Sequence, residues 1–326
     1  GVTIGPRLQH VHTFYTGLLY LAPDAPVLRV PLALIAIGHL LFRSGIWGRD
    51  FWQELEKMIY FLLFPALLFN TILRTNLGSA GALPAVTVAL GAIAVGIALG
   101  FAARPLLRPL PLQFASGVQC AFRFNSYILL ALAQRFAGEP GLALAAIVMG
   151  VAVPILNVAA VWPLARTANS GLARELARNP LILATLAGLA GNFAGLSLPE
   201  PIGATIGRLG SASLALGLLA AGAGLRLERS PTSDAASRAS ALRLTAWFTA
   251  VKLVAMPATA LLLSSLFGVP PLAQQIAVLF ASMPAASSSY ILASRMGGDG
   301  PFVAMLVTVS MLAALVALPF WIGLSR

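Results

Sequence analysis

Residues 120–141 read CAFRFNSYILLALAQRFAGEPG, and an echo, SSSYILASRMGGDGP, fills residues 287–301. The first stretch lies between long apolar segments, yet it opens with a cation and an amide, Arg123 and Asn125. Ser126-Tyr127-Ile128-Leu129 matches Ser289-Tyr290-Ile291-Leu292. After a three-residue gap, Arg135-Phe136-Ala137-Gly138-Glu139-Pro140-Gly141 is answered by Arg295-Met296-Gly297-Gly298-Asp299-Gly300-Pro301. Whether the two stretches occupy equivalent places decides the architecture.

The chain has 326 residues, 59% of them hydrophobic and only 10% charged, with a mean hydropathy of +0.89. A soluble domain carries about 25% charged residues, so this chain lacks the polar residues to cover a water-facing surface. Repeated apolar runs of roughly 20 residues predict membrane-spanning helices. The runs are continuous rather than alternating, which excludes a transmembrane barrel. In lipid, each segment must satisfy its own backbone groups, so an all-α bundle follows. The net charge of +11 is scattered through short connections rather than gathered on one face. It reports topology, not nucleic-acid binding. Cys120 is the only cysteine, which rules out a disulfide framework or a cysteine-rich metal site. His10 and His12 form an i, i+2 pair in a polar leader and read as solvated; His39 reads as a hydrogen-bonded residue of the first span.

Ten apolar segments are expected, at 27–43, 55–73, 82–103, 112–135 and 142–164, then at 180–198, 202–225, 243–267, 272–294 and 301–323. Residues 1–26 are only half apolar and lack the features of a signal peptide; they read as an interfacial N-terminal extension. That the sequence begins with Gly1 suggests a trimmed start. Arg43, Arg49, Lys57, Arg104, Arg108, Arg295 and the basic residues of 166–178 and 226–243 fall at odd-numbered connections. Only Arg74 and Arg135 fall at even-numbered ones. This bias places the odd connections in the cytoplasm and both termini outside. A polar stretch at 165–179 separates the first five-helix set (27–164) from the second (180–326) and reads as a cytoplasmic linker. The longest connection, LRLERSPTSDAASRAS at 225–240, also reads as flexible and cytoplasmic.

The opening stretch thus belongs to span four and its echo to span nine, an offset of five spans. An odd number of spans per repeat makes the copies point in opposite directions across the membrane, the inverted-topology repeat of many secondary transporters. S-Y-I-L alone is a common enough tetrapeptide in lipid-facing helices. The shared ending, Arg followed by Gly and an acid, raises the match above that background.

The chain has ten acidic residues, all expected in connections or at span ends. Three cations fall within spans: Arg123, Arg208 and Lys252. A charge at the bilayer centre costs at least about 2.5–3.5 kcal/mol on insertion scales. With no acid in the interior, the compensation has to come from a water-filled cavity, backbone carbonyls or an anionic ligand. Arg208 is near enough to a span end to snorkel. Lys252, ten residues into span eight, is open between a structural and a functional role. Arg123 favours a functional one. In span nine, Met283-Pro284-Ala285-Ala286-Ser287-Ser288-Ser289 should break the helix at Pro284. Half-helix N-termini left by such breaks attract anions. Phe64-Pro65-Ala66 and Val153-Pro154 with Asn157 are further candidate breaks, the second read as structural.

The stretches LEKMIYFLLFPALLF (55–69), RFNSYI (123–128), RNPLILATLAGL (178–189), VKLVAMPA (251–258) and SMPAASSSYILA (282–293), in this order and spacing, resemble the auxin efflux carrier family. The resemblance covers residues 27–323. It implies ten helices in two inverted five-helix repeats, similar to the sodium–proton antiporter and bile-acid symporter folds. Broken helices four and nine would cross around the substrate, with elevator-type alternating access. By that likeness Asn125 is the crossover amide and Pro284 the second crossover proline. The plant carriers have proline immediately before the crossover Asn; here Phe124 stands there, preceded by Arg123, so this chain looks closer to the bacterial, malonate-permease-like branch.

The expected function is a secondary carrier in the bacterial inner membrane for a small organic anion, a mono- or dicarboxylate. The candidate substrate-binding residues are Arg123, Asn125, Ser126, Lys252, Pro284, Ser287 and Ser288. No cofactor and no metal are expected. The partners are the substrate anion and the bilayer, with a coupling ion (proton or sodium) and a homodimer left open. A sodium-coupled bile-acid-type symporter on the same fold is the alternative within transport, and sodium dependence of uptake separates the two. A membrane-embedded enzyme would need a nucleophile–base pair or a metal set, which this residue inventory does not supply. A non-transporting sensor would be marked by ligand binding without flux.

Overall fold

The computed structural model describes residues 26–74, 81–165, 180–224, 235–286 and 288–325. Every regular element among them is a helix. Helix α1 spans Pro26–Ser44. Helix α2 runs over Arg49–Arg74 through a π turn at Ile59–Leu63, and α3 is Ala82–Leu107. Helix α4, Pro111–Gly117, tightens into a 3-10 turn at Val118–Ala121. Helix α5 is Ser126–Ala165, α6 Pro180–Phe193 and α7 Glu200–Ala223. Helix α8 covers Ala235–Leu266 with a π turn at Val251–Ala255. Helices α9 (Pro271–Ser282), α10 (Ser288–Arg295) and α11 (Gly300–Leu324) complete the chain.

Local chemistry sets these boundaries. Helices α4, α7, α9 and α11 carry proline in their first turn, where the missing N–H has no intrahelical role. Asp299 caps α11 by accepting from the Phe302 amide at 3.0 Å. Within α5, Gly138 adopts φ 59°, ψ −149° and divides the helix into two arms. A side chain rarely tolerates that conformation. The equivalent bend after α10 is at Gly297, φ 72°, one position earlier than the alignment of the two stretches expects.

Six helical runs among the described residues are long and apolar enough to cross a membrane: 49–74, 82–107, 111–164, 200–223, 235–266 and 300–324. Shorter apolar helices cover Ala33–Ser44 and Pro271–Ser282. Each expected apolar segment falls on helix, with four corrections. Helix α2 begins at Arg49, earlier than expected, which puts Glu54, Glu56 and Lys57 on its first turns; Lys57 pairs with Glu54 at 2.6 Å. Residues 235–240, read as linker, form the first turns of α8. Helix α6 ends at Phe193. Pro65 makes a π turn, not a break. Residues 1–25, 75–80, 166–179, 225–234, Ser287 and Arg326 lie outside the described residues, and with them most of the N-terminal extension and the 165–179 linker.

Helices α1 and α7 meet at backbone distance. A Cβ on Gly38 would fall on the Leu219 carbonyl, and one on Gly222 on the Ile35 carbonyl, so only glycine admits this approach. Helices α2 and α6 form a second close pair. There Asn192 Nδ2 donates to the carbonyls of Ile72 and Leu73 at 3.0 and 2.9 Å, two of the orphan carbonyls at the end of α2. Helices α3, α8, α9 and α11 pack around the two interrupted segments.

Candidate transport site

Two helices are interrupted in the interior. The first is unwound between Ala121 and Ser126, the second between Ser282 and Ser288. Before the second gap, Met283 is extended at φ −62°, ψ 143°, the conformation that a following proline imposes. The first gap has no proline. There the Gln119 carbonyl accepts from both Phe122 (3.3 Å) and Arg123 (2.8 Å), and α5 then starts afresh under a cap. Asn125 Oδ1 accepts from the amides of Tyr127 (3.1 Å) and Ile128 (3.2 Å), the N-cap geometry that asparagine favours.

The two gaps touch. The Asn125 amide donates to the Pro284 carbonyl at 2.9 Å. The Ala285 amide donates to Ser310 Oγ of α11, also at 2.9 Å. Asn125 and Pro284 are buried there.

Arg123 is half-buried at the rim of this meeting point. Its Nη1 donates to Gln119 Oε1 at 2.8 Å and its Nη2 to Ser288 Oγ at 3.1 Å. Gln119 is fully buried, and its Nε2 reaches across to the Ser289 carbonyl (3.2 Å) and to the Ser116 carbonyl (3.0 Å). The guanidinium is therefore held by neutral oxygens from both interrupted segments. Among the described residues no carboxylate pairs with it. Ser288 is exposed at the start of α10 and Ser126 half-buried at the start of α5. Phe64 of α2 stacks on Tyr127, with centroids 4.7 Å apart and planes 19° apart, which closes one side.

Of the residues expected from sequence, Arg123, Asn125, Pro284 and Ser288 come together. Lys252 is wholly enclosed by protein; its Nζ donates to the Ala281 carbonyl at 2.9 Å, one turn before Pro284. Ser287 lies outside the described residues. Arg208 is exposed, as a snorkelling residue would be. Gln119 and Ser310 were missed. Gln119 carried a usable signal, an amide four residues before Arg123 in an otherwise apolar run.

The family described as "Membrane transport protein" matches residues 163–322. Over 295 residues the chain is 28% identical to a protein named "Putative malonate transporter" from Rhizobium meliloti (strain 1021), covering 81% of this chain and 84% of that one. Both similarities are to membrane transport proteins, one along the second half of the chain and one along most of its length. Neither similarity is to an enzyme. Lys252, Pro284 and Ser288 lie within the family match, whereas Arg123 and Asn125 precede it. The two interrupted segments therefore come one from each side of the matched boundary.

Proposed function

We propose that the protein is a secondary carrier of a small organic anion, a mono- or dicarboxylate, bound where the two interrupted helices meet. The observation that carries this reading is Arg123, half-buried between the gaps, bonded only to neutral oxygens and facing no acid among the described residues. An anion would complete its charge, since charge-assisted contacts to a guanidinium are short and strong. Asn125, Ser126 and Ser288 are polar groups of the same region, and Ser287 precedes Ser288 in the sequence. The neighbouring N-termini of α5 and α10 add partial positive charge. The malonate likeness of the relative makes a dicarboxylate the first substrate to try.

The finer architecture in this reading is ten spans in two inverted five-helix repeats, 27–164 and 180–326. The crossing helices are α4 with the first arm of α5, and α9 with α10. Alternating access is of elevator type, in the cytoplasmic membrane, with both termini outside. Its support is reciprocal packing. Helix α1 pairs with α7 as α6 pairs with α2, the exchange that a pseudo-two-fold relating span one to six and two to seven requires.

The test is uptake of radiolabelled malonate and related acids into proteoliposomes, with and without a sodium gradient. Losing the guanidinium contact should remove about 1.5–3 kcal/mol, so Arg123→Ala should cut uptake tenfold or more. Equal uptake by parent and mutant would sink the anion site. A strict sodium requirement would identify the coupling ion.

A further inference from the structure

Lys252 is a cation wholly enclosed by protein, in a helix that crosses the apolar interior. The local cause is Pro257. Proline gives no N–H to the Leu253 carbonyl and its ring crowds that group, so α8 widens into the π turn Val251–Ala255. A π turn adds a residue and re-aims the side chains around it. Val251, Lys252 and Leu253 are buried, while Val254 is 57% exposed. The freed Leu253 carbonyl accepts from Trp321 Nε1 at 2.8 Å.

The ammonium delivered by this turn donates to the Ala281 carbonyl at 2.9 Å and lies 3.6 Å from Met256 Sδ. Ala281 is the penultimate residue of α9. Its carbonyl is one of those a helix C-terminus leaves without an intrahelical partner. That end of the helix carries about half a negative charge. The π turn packs against α3, α9, α11 and the 3-10 turn after α4. Among the described residues none of these elements offers Lys252 a carboxylate. The counter-charge of Lys252 is therefore the helix end itself. Two residues beyond that end is Pro284, whose carbonyl receives the Asn125 amide.

We propose that Lys252 is a positioning residue of the crossing. Its ammonium neutralises the C-terminal end of α9 and fixes the register in which Pro284 meets Asn125, instead of touching substrate. The ligand role expected of Lys252 from sequence gives way, in this proposal, to a role acting through Ala281. Only its effect on flux rests on the crossing being the transport site; its effect on the crossing's geometry does not.

The experiment uses the full chain in detergent and in proteoliposomes, comparing Lys252→Met, Lys252→Gln and the parent. Hydrogen exchange reports the Asn125 and Ala285 amides in peptides covering 118–130 and 279–290. Methionine fills the space without a donor or charge, and replacing a buried charge by an apolar residue often leaves the fold standing. Lys252→Met should speed exchange in those two peptides about tenfold, with the rest of the chain unchanged and malonate uptake lost. Lys252→Gln, which can still donate to Ala281, should recover part of the protection. Exchange in both peptides at the parent rate in Lys252→Met overturns the proposal. So does acceleration spread evenly over the chain, the mark of a merely structural role. If the parent takes up none of the acids tried, the anion-carrier reading fails, while the exchange data still decide the role of Lys252.

Discussion

At Asn125 the main chain and the side chain bond in opposite directions. The amide N–H goes out to Pro284 across the crossing, while Oδ1 turns inward to the first amides of α5. Substitution can separate these roles, because only the side chain changes. Asn125→Ala removes the cap and should cost about 1 kcal/mol in unfolding measurements. Asn125→Asp keeps the cap, and a carboxylate suits a helix N-terminus, so its stability should stay near the parent value. The same substitution puts a negative charge two residues from Arg123, where an anionic substrate is proposed to sit. Malonate uptake by Asn125→Asp should therefore fall severalfold with stability intact. Full uptake by that variant would argue against a positive site at the crossing. Part of this site was legible: a cation and an amide in an apolar run stand out without any structure. Gln119, equally buried and polar, went unread because it lies in a segment that looks like continuous helix. Its partner across the crossing, the Ser289 carbonyl, is 170 residues away in sequence and exists only in the folded chain.

Three prolines inside apolar segments show why breaks are harder to read than spans. Pro65, Pro257 and Pro284 all interrupt an apolar run, and sequence alone gives no reason to treat them differently. At the first two the preceding residue stays helical, with Phe64 at φ −67°, ψ −47° and Met256 at φ −62°, ψ −52°, and a π turn absorbs the proline. At the third, Met283 is extended and the helix ends. What differs is tertiary: Trp321 from α11 takes up the carbonyl freed by Pro257, whereas the chain after Ser282 finds partners in Asn125 and Ser310. The apolar helices needed only hydrophobicity and length, so their middles were legible while several ends lie elsewhere than expected. The break at 122–125 was foreseen through resemblance, and it forms without the proline of the plant carriers. The role given to Trp321 can be tested by a double-mutant cycle. Trp321→Phe strands the Leu253 carbonyl in the interior and should destabilise by about 1–3 kcal/mol. Pro257→Ala restores a backbone donor to that carbonyl, so in the Trp321→Phe background it should recover part of the loss. If the two substitutions simply add, the indole is not serving that carbonyl.

At the scale of the whole molecule, the proposed ten-span arrangement makes connections of the same parity meet each other. The Leu110 amide donates to Ser240 Oγ at 3.3 Å, and Gln113 donates to the carbonyl and hydroxyl of Ser237 at 3.3 and 3.1 Å. The Asp299 amide donates to Ser116 Oγ at 2.7 Å. Those contacts tie the ends of connections three, seven and nine together. At the opposite parity, Asn192 near connection six reaches the carbonyls of Ile72 and Leu73 near connection two. The odd set is also where the arginines concentrate. Arg104 and Arg108 belong to it, as do Arg238 and Arg243, against Arg74 and Arg135 in the even set. One end of the proposed ten-span bundle is thus the more basic, and the positive-inside rule predicts that this end faces the cytoplasm. The buried native thiol, Cys120, makes labelling of introduced cysteines feasible in a Cys120→Ser background. Glu139, between the arms of α5, and Arg104, near the end of α3, are both exposed. A membrane-impermeant maleimide applied to intact spheroplasts should label Glu139→Cys and leave Arg104→Cys unreacted until the membrane is opened. The reverse pattern would invert the topology and put the termini inside. Labelling of both from outside would mean that the two parities do not lie on opposite faces, which the inverted repeat cannot accommodate.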